Sequence, residues 1–352
     1  MKRFAEALRQ AALQLDFAAT ADSWQGGQAR GLMPSIDLAV ACFHPGRPPA
    51  WANVLFSREH PQGVIADIDA QAGSPRNIRF DMDQHDAALE SPAWLPGADW
   101  SQLQWQHLHG DGEHRFVAPY PASLLKLMVA VGVGMAVDEG HTAWPDALEP
   151  MIVLSDNAAT TACVALLHRC GVVDMLNQRL RALGLHTLRL ESTRPDGGWR
   201  NADGAGVGRI HMTAWDTVRL LWLLDADAPP PPWLSGLPGL REGTTLLQPA
   251  TRDHLRAVLA RQQLDEVLSS GALREVPDRV AGLPDAPAFA HKTGSTDTYA
   301  SDAGIVQTEA SHYIVALLST LGRRSAPHPR CATTWRLPAL GAAVHRIVKA
   351  VP

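Results

Sequence analysis

An unbroken apolar run from Leu127 to Val137 follows directly on Tyr120-Pro121-Ala122-Ser123-Leu124-Leu125-Lys126, and no other stretch restricts the fold as severely. Apolar side chains at every helical register make a helix enclosed on most sides, not one with a single buried face. At its entrance stand a serine and a lysine three positions apart. On a helix such residues share a face, and Pro121 suits the first turn. A serine hydroxyl is a weak nucleophile that needs a proton acceptor, and a lysine serves only where burial or another cation holds it neutral.

The 352 residues, 46% of them hydrophobic, are enough for a large core and exceed the usual size of one domain, so two packed lobes are expected. A net charge of −5 leaves no basic stripe to neutralise phosphates, which argues against a nucleic-acid partner. The start, Met1-Lys2-Arg3-Phe4-Ala5-Glu6, puts charges where a signal peptide needs an apolar region, and no later run approaches the roughly 18 apolar residues of a membrane span. A chain without a membrane partner is expected, in the cytoplasm as written, or in the periplasm had a leader been removed. Cys163 and Cys170 are spaced too far along a helical pattern, roughly 10 Å, to be bridged, and read as thiols. Only Lys2, Lys126, Lys292 and Lys349 are lysines, every other basic residue being arginine. Arginine holds its proton at any accessible pH, whereas a desolvated lysine releases it. Lysine therefore stands where chemistry requires it.

Along the chain, residues 3–16 read as a surface helix, 36–43 and 52–56 as strands, and 57–98, with Pro92 and Pro96, as a loop-rich insertion. Residues 103–109 and 114–117 flank Gly110-Asp111-Gly112-Glu113 and read as a hairpin. His107, His109 and His114, with Asp111 and Glu113 among them, admit a metal site, but a hairpin turn collects Gly and Asp for backbone reasons alone, so no metal or other cofactor is expected. Helices are expected over 124–137, 157–170, 173–183, 213–224 and 251–268. Strands follow at 288–296, 303–308 and 312–320, and a closing helix from about 337 to 351.

Two further short motifs accompany Ser123 and Lys126. Ser155-Asp156-Asn157 precedes a helix and is by itself a good N-cap. His291-Lys292-Thr293-Gly294-Ser295 lies in an alternating strand, where Gly294 would let a substrate backbone approach the edge. In the order Ser-x-x-Lys, Ser-Asp-Asn, Lys-Thr-Gly, the three form the signature of class A β-lactamases and penicillin-binding proteins. The chain resembles that superfamily from about Phe116 to Thr320, and most closely its class A-like serine hydrolases. The resemblance implies an α/β (α+β) fold: an antiparallel sheet flanked by terminal helices, with an inserted all-helical lobe. Residues 1–120 and 285–352 would form the discontinuous α/β lobe and 121–284 the helical lobe, with the active site in the cleft between them.

Carried over by position, the resemblance makes Ser123 the nucleophile, Lys126 its base and Ser155 a proton relay. Asn157 would hold a substrate amide. Lys292 would bind a substrate carboxylate and keep Lys126 neutral by its charge, with Thr293 and Ser295 as further donors to the carboxylate. The amides of Ser123 and Ser295 would form the oxyanion hole. The implied partner is a small molecule or peptide bearing a carboxylate. One departure stands out: where class A enzymes carry the glutamate that activates water for deacylation, this chain has Glu191-Ser192-Thr193-Arg194-Pro195-Asp196, and Arg194 falls in the glutamate's place. Glu191, Asp196 and Asp203 are the nearby carboxylates, and Trp199 and Trp215 are candidate pocket walls. A serine hydrolase acting through an acyl-enzyme is the leading reading. A D-Ala-D-Ala-type peptidase or transpeptidase and a sensor that acylates without turnover are the alternatives.

Overall fold

The computed structural model describes residues 2–83, 99–100, 102–199, 209–237 and 245–350; Pro92, Pro96 and Asp203 lie outside them. The first part of the chain forms helix α1 (Lys2–Gln14) and strands β1 (Ile36–Phe43), β2 (Ala50–Phe56), β3 (Val64–Ile65), β4 (Ile78–Met82), β5 (Gln106–His109) and β6 (His114–Ala118). The middle holds helices α2 (Lys126–Asp138), α3 (Leu148–Val153), α4 (Asn157–Arg169) and α5 (Val172–Ala182), the short strands β7 (Arg189–Leu190) and β8 (Ile210–His211), and helices α6 (Ala214–Leu224) and α7 (Pro249–Leu259). Strands β9 (Phe289–Ser295), β10 (Ala300–Thr308) and β11 (Ser311–Ser319) and helix α8 (Arg336–Ala350) close it.

The main sheet has the order β9-β10-β11-β1-β2-β3, antiparallel throughout, so strands from both ends of the chain meet at the β11–β1 pairing. Alternation sorts its side chains between two cores. Ile36, Leu38, Val40 and Cys42 of β1, with Tyr313, Val315 and Leu317 of β11, join Phe4 and Leu8 of α1 and Leu337, Leu340 and Val344 of α8. Ala39, Ala41 and Phe43, with Ile314, Ala316 and Leu318, face α2, α4 and α6 instead. Helix α2 is buried from Lys126 to Ala136, as its uninterrupted apolar run requires.

Two expectations fail in instructive ways. Strands β5 and β6 do not pair as a hairpin: both flank β4, which is antiparallel to β5 and parallel to β6. The stretch read as a loop-rich insertion supplies this central strand, because Ile78, Phe80 and Met82 alternate inward and pack with Leu108 and Phe116. The helix expected over 251–268 ends at Leu259. Gln262 turns the chain away, accepting from the amides of Gln263 and Leu264 and donating to the Ile152 carbonyl. Val267 and Leu268 then enter the core shared with α1 and α8, so their apolar character serves another core and not a helical face. Helix α3 was not legible in the sequence.

Helix α8 seats on this 265–270 segment through Gly341, where a Cβ would lie 2.2 Å from the Leu268 carbonyl oxygen. Backbone cannot yield as a side chain does. Gly341→Ala is expected to destabilise the protein by about 1–3 kcal/mol, read as a lower urea midpoint with unchanged slope; an unchanged midpoint would mean that α8 is free to shift.

Candidate active site

Ser123 lies in a 3₁₀ turn, Ala122–Leu125, and helix α2 begins only at Lys126. The i, i+3 relation still brings the two residues to one side, since side chains three apart eclipse in a 3₁₀ turn. Ala122 has φ 51°, a left-handed conformation costing a non-glycine residue about 1–2 kcal/mol. Neighbours hold the turn in place: Leu124 N–H donates to the Pro121 carbonyl at 3.1 Å, and Ser301 Oγ donates to the same oxygen at 2.5 Å. Gly294 completes the seat, because a Cβ there would stand 2.5 Å from Pro121 O and 2.7 Å from Leu124 N. The reason for glycine in this strand is thus the approach of the chain's own Ser123 turn, where the sequence reading had a substrate backbone in mind.

The Ser-Asp-Asn segment divides its work. Asp156 alone caps α4, accepting from Ala159 N–H at 2.6 Å. Ser155, also left-handed at φ 56°, and Asn157 turn to the lysine. Lys126 Nζ donates to the Ser155 carbonyl at 2.5 Å, to Ser155 Oγ at 3.1 Å and to Asn157 Oδ1 at 2.8 Å. Lys292 Nζ reaches the same Ser155 Oγ at 3.0 Å and donates to the Thr293 carbonyl at 2.9 Å. Among the described residues no hydrogen bond joins the Ser123 hydroxyl to Lys126. Asn157 therefore holds the lysine in this state, where the sequence reading assigned it a substrate amide.

Both lysines are almost wholly buried, at 1% and 0% exposure. Burial lowers Lys126 to about 8, with Asp156 opposing. Burial, reinforced by the Lys126 charge, takes Lys292 to about 7 against the pull of Asp302 and Glu266. The sequence reading had the Lys292 charge keeping Lys126 neutral; instead burial acts on Lys126 and the repulsion lowers Lys292. Of the candidate carboxylate donors, Thr293 is buried at 2% and alternation turns it to the α1/α8 face, while Ser295 is partly exposed, its Oγ 3.5 Å from the Ala332 carbonyl.

The other candidates disperse. Trp215 is fully buried and donates to the Gly73 carbonyl at 2.8 Å, so it is core and not pocket wall; Trp199 packs partly buried against the same core. The 191–199 loop is rooted by the β7–β8 pair. In it Arg194 Nε donates to Asp196 Oδ1 at 3.3 Å, and among the described residues Lys126 makes no hydrogen bond to a carboxylate. His107 approaches Asp81 at 3.6 Å, His109 stacks on His186 and His114 meets Glu113 at 3.2 Å, three separate environments. Among the described residues no cluster suited to a metal occurs. Cys163 is buried and Cys170 half-buried, both free.

Sequence reading missed Ser301, and it missed His291, clasped between Asp302 at 2.7 Å and Asp265 at 2.9 Å with no exposure. The available signal was a pair of ionisable residues, His291 and Asp302, inside strands of the main sheet, since buried charges come paired.

Comparison with known proteins follows the same lines. The profile of the "Beta-lactamase enzyme family" matches residues 134–334, a span that takes in Ser155, Asn157 and Lys292 and begins after Ser123 and Lys126. No curated protein sequence matches the chain. Among solved structures, a β-lactamase from Sphaerobacter thermophilus is similar at 15% identity and TM-score 0.52, over 99% of this chain and 98% of that one. A class A β-lactamase from Bacteroides cellulosilyticus gives 16% identity and TM-score 0.47, over 99% of both chains. A PBP-A acyl-enzyme complex with penicillin G gives 18% identity and TM-score 0.47, over 98% of this chain and 94% of that one.

The seating of the nucleophile turn on β9 is open to test. Gly294→Ala is expected to displace the Ser123 turn while leaving the circular dichroism spectrum unchanged, and a misplacement near 1 Å costs on the order of 10²-fold in rate. The rate of fluorophosphonate labelling of Ser123 measures it, and wild-type labelling would show the contact to be slack.

Proposed function

We propose, for a chain that belongs to the β-lactamase enzyme family and is a serine hydrolase of β-lactamase-related type, that Ser123 is the acylated nucleophile and that the substrate is an amide or ester bearing a carboxylate, a β-lactam among them. The observation that carries this reading is the convergence of Lys126 and Lys292 on Ser155 Oγ, at 3.1 and 3.0 Å, beside the Ser123 turn. Neutral Lys126 takes the proton of Ser123 Oγ as that oxygen bonds to the carbonyl carbon. The amides of Ser123 and Ser295 receive the oxyanion, a donor of this kind being worth roughly 3 kcal/mol. As the C–N or C–O bond breaks, the leaving atom takes a proton from Ser155 Oγ, which recovers one from a lysine. Lys292 holds the carboxylate.

Breakdown of the acyl-enzyme requires water and a base. Arg194 is paired with Asp196, and Lys126 makes no hydrogen bond to a carboxylate among the described residues, Asp156 beside it being taken up in capping α4. A general base typically supplies about 10²- to 10⁴-fold. We therefore read this chain as one that acylates readily with penicillin and deacylates slowly, while small esters turn over with Lys126 as base. The peptidase alternative draws on a separate observation: β9 is an edge strand, and edge strands pair with extended peptides.

Intact-protein mass spectrometry over time, with penicillin, an activated ester and a D-Ala-D-Ala peptide in parallel, tests the reading. The expected result is a long-lived penicilloyl adduct, absent in Ser123→Ala, together with ester turnover. An adduct that survives in Ser123→Ala would remove the nucleophile, and rapid penicillin turnover without a burst would remove the slow second step. The pH dependence has a definite sign. Because the acceptor form of Lys126 is the neutral one and burial lowers the group to about 8, the acylation rate with a neutral ester should climb from pH 6 to about 8 and level off above; a rate independent of pH in this window would exclude Lys126 as base.

A further inference from the structure

Strand β9 carries charge on both of its faces. Lys292 points to the face that meets α2, whereas His291, the residue before it, points to the opposite face, where its ring stacks on Phe289 with centroids 4.0 Å apart. There His291 Nδ1 meets Asp302 Oδ1 at 2.7 Å and Nε2 meets Asp265 Oδ1 at 2.9 Å. With a carboxylate at each nitrogen the ring donates from both, which is the cationic form. Although burial pulls it down, Asp302 and Asp265 lift His291 to about 9. The second oxygen of Asp302 accepts from Leu268 N–H at 3.0 Å. Two carboxylates and one imidazolium leave one net negative charge, buried except at the edge of Asp265, directly behind the strand that presents Lys292.

We propose that this Asp302–His291–Asp265 clasp is a positioning device for Lys292, supplying the fixed negative charge against which that lysine keeps the proton it needs to bind an anionic substrate. The inference rests on the assignment of Lys292 to the substrate carboxylate.

The need for such a charge follows from the surroundings. The groups facing Lys292 are Lys126 from α2, Ser155 from the α3–α4 turn, Asp302 from β10 and Glu266 from the segment after α7. Burial and Lys126 both favour the neutral amine; only Asp302 and Glu266 oppose them. Glu266 is itself raised by burial, with Arg323, Lys292 and His291 acting the other way, so it is the less dependable anion. His291 faces Asp302, Asp265 and Glu266, and its two hydrogen bonds tie the 265–270 segment and β10 to β9. Asp302 sits in register with Thr293, next to Lys292 on the strand, and acts through the sheet without touching the substrate side.

The chain's four lysines make the test compact. In ¹⁵N-lysine spectra, with Lys292→Arg to assign the signal, Lys292 in Asp302→Asn should lose its proton about one pH unit lower than in the wild type, a tenfold change in proton concentration. Asp265→Asn, which leaves Asp302 in place, should move it in the same direction by less. The functional readout is the ratio of acylation rates for an anionic substrate and a neutral ester. This ratio cancels the titration of Lys126 and should fall as Lys292 deprotonates, with its midpoint shifted down by the same unit in Asp302→Asn and the loss recovered on acidification. A purely structural role would not be recovered by pH. If Asp302→Asn fails to fold, Asp265→Asn and the wild-type His291 ring remain, the ring being expected to stay doubly protonated through pH 8. An unshifted Lys292 titration in the folded variants, or a singly protonated His291 at pH 7, would overturn the proposal. A ratio unchanged in Lys292→Ala would instead overturn the carboxylate assignment, leaving the lysine titration to judge the clasp.

Discussion

Two buried lysines, Lys126 and Lys292, send their ammonium nitrogens to one oxygen, Ser155 Oγ, from 3.1 and 3.0 Å. Nitrogens that share an oxygen at this distance are no more than about 6 Å apart, where two unit charges repel by about 3 kcal/mol at the effective dielectric of a protein. The pair therefore resists carrying two full charges at neutral pH, and the remainder of the site depends on that. In the proposed reaction one of them accepts a proton while the other offers charge to a ligand, and their surroundings decide which. Lys126 has three acceptors around it and Lys292 two. The closed site thus favours the proton on Lys126, and a ligand carboxylate at Lys292 would reverse the preference.

Bringing the two lysines together requires three segments far apart in sequence to meet at close quarters, and local strain marks the junctions. Ala122 and Ser155 are both held left-handed, a conformation that persists in non-glycine residues only where surrounding structure enforces it. For the Ser123 turn the enforcement is visible in the Ser301 hydroxyl on the Pro121 carbonyl and in the side-chain-free surface of Gly294. For Ser155 it is the cap by Asp156, which starts α4 and fixes the direction from which Ser155 and Asn157 face Lys126.

The sheet separates this site from its own support. Its two faces belong to different cores, one formed with the terminal helices and one with the helical middle of the chain. Consecutive residues of β9 therefore serve opposite sides, so that His291 is bonded beneath the sheet while Lys292 works above it. A strand covered on both faces lets a buried ion cluster stand one residue from Lys292 while lying on the opposite side of the sheet.

Much was legible in the residues alone. The apolar run after Lys126 specified an enclosed helix because no other element hides side chains at every register. The helical spacing of Ser123 and Lys126 suggested a nucleophile beside a base, the motifs that add Ser155, Asn157 and Lys292 marked an expected site through their resemblance to a known signature, and the main-sheet strands were visible through apolar length. What tertiary structure alone decided was environment. Strand β4 could not be read because its partners, β5 and β6, come from later in the chain and supply the pairing that makes it a strand. Gly294 looked like a place for a ligand until the turn at Pro121 was seen against it. The charge of each lysine and the clasp on His291 depend on distances between residues from eleven to well over a hundred positions apart. Burial and Coulomb interaction act through space, and a sequence orders residues only along the chain.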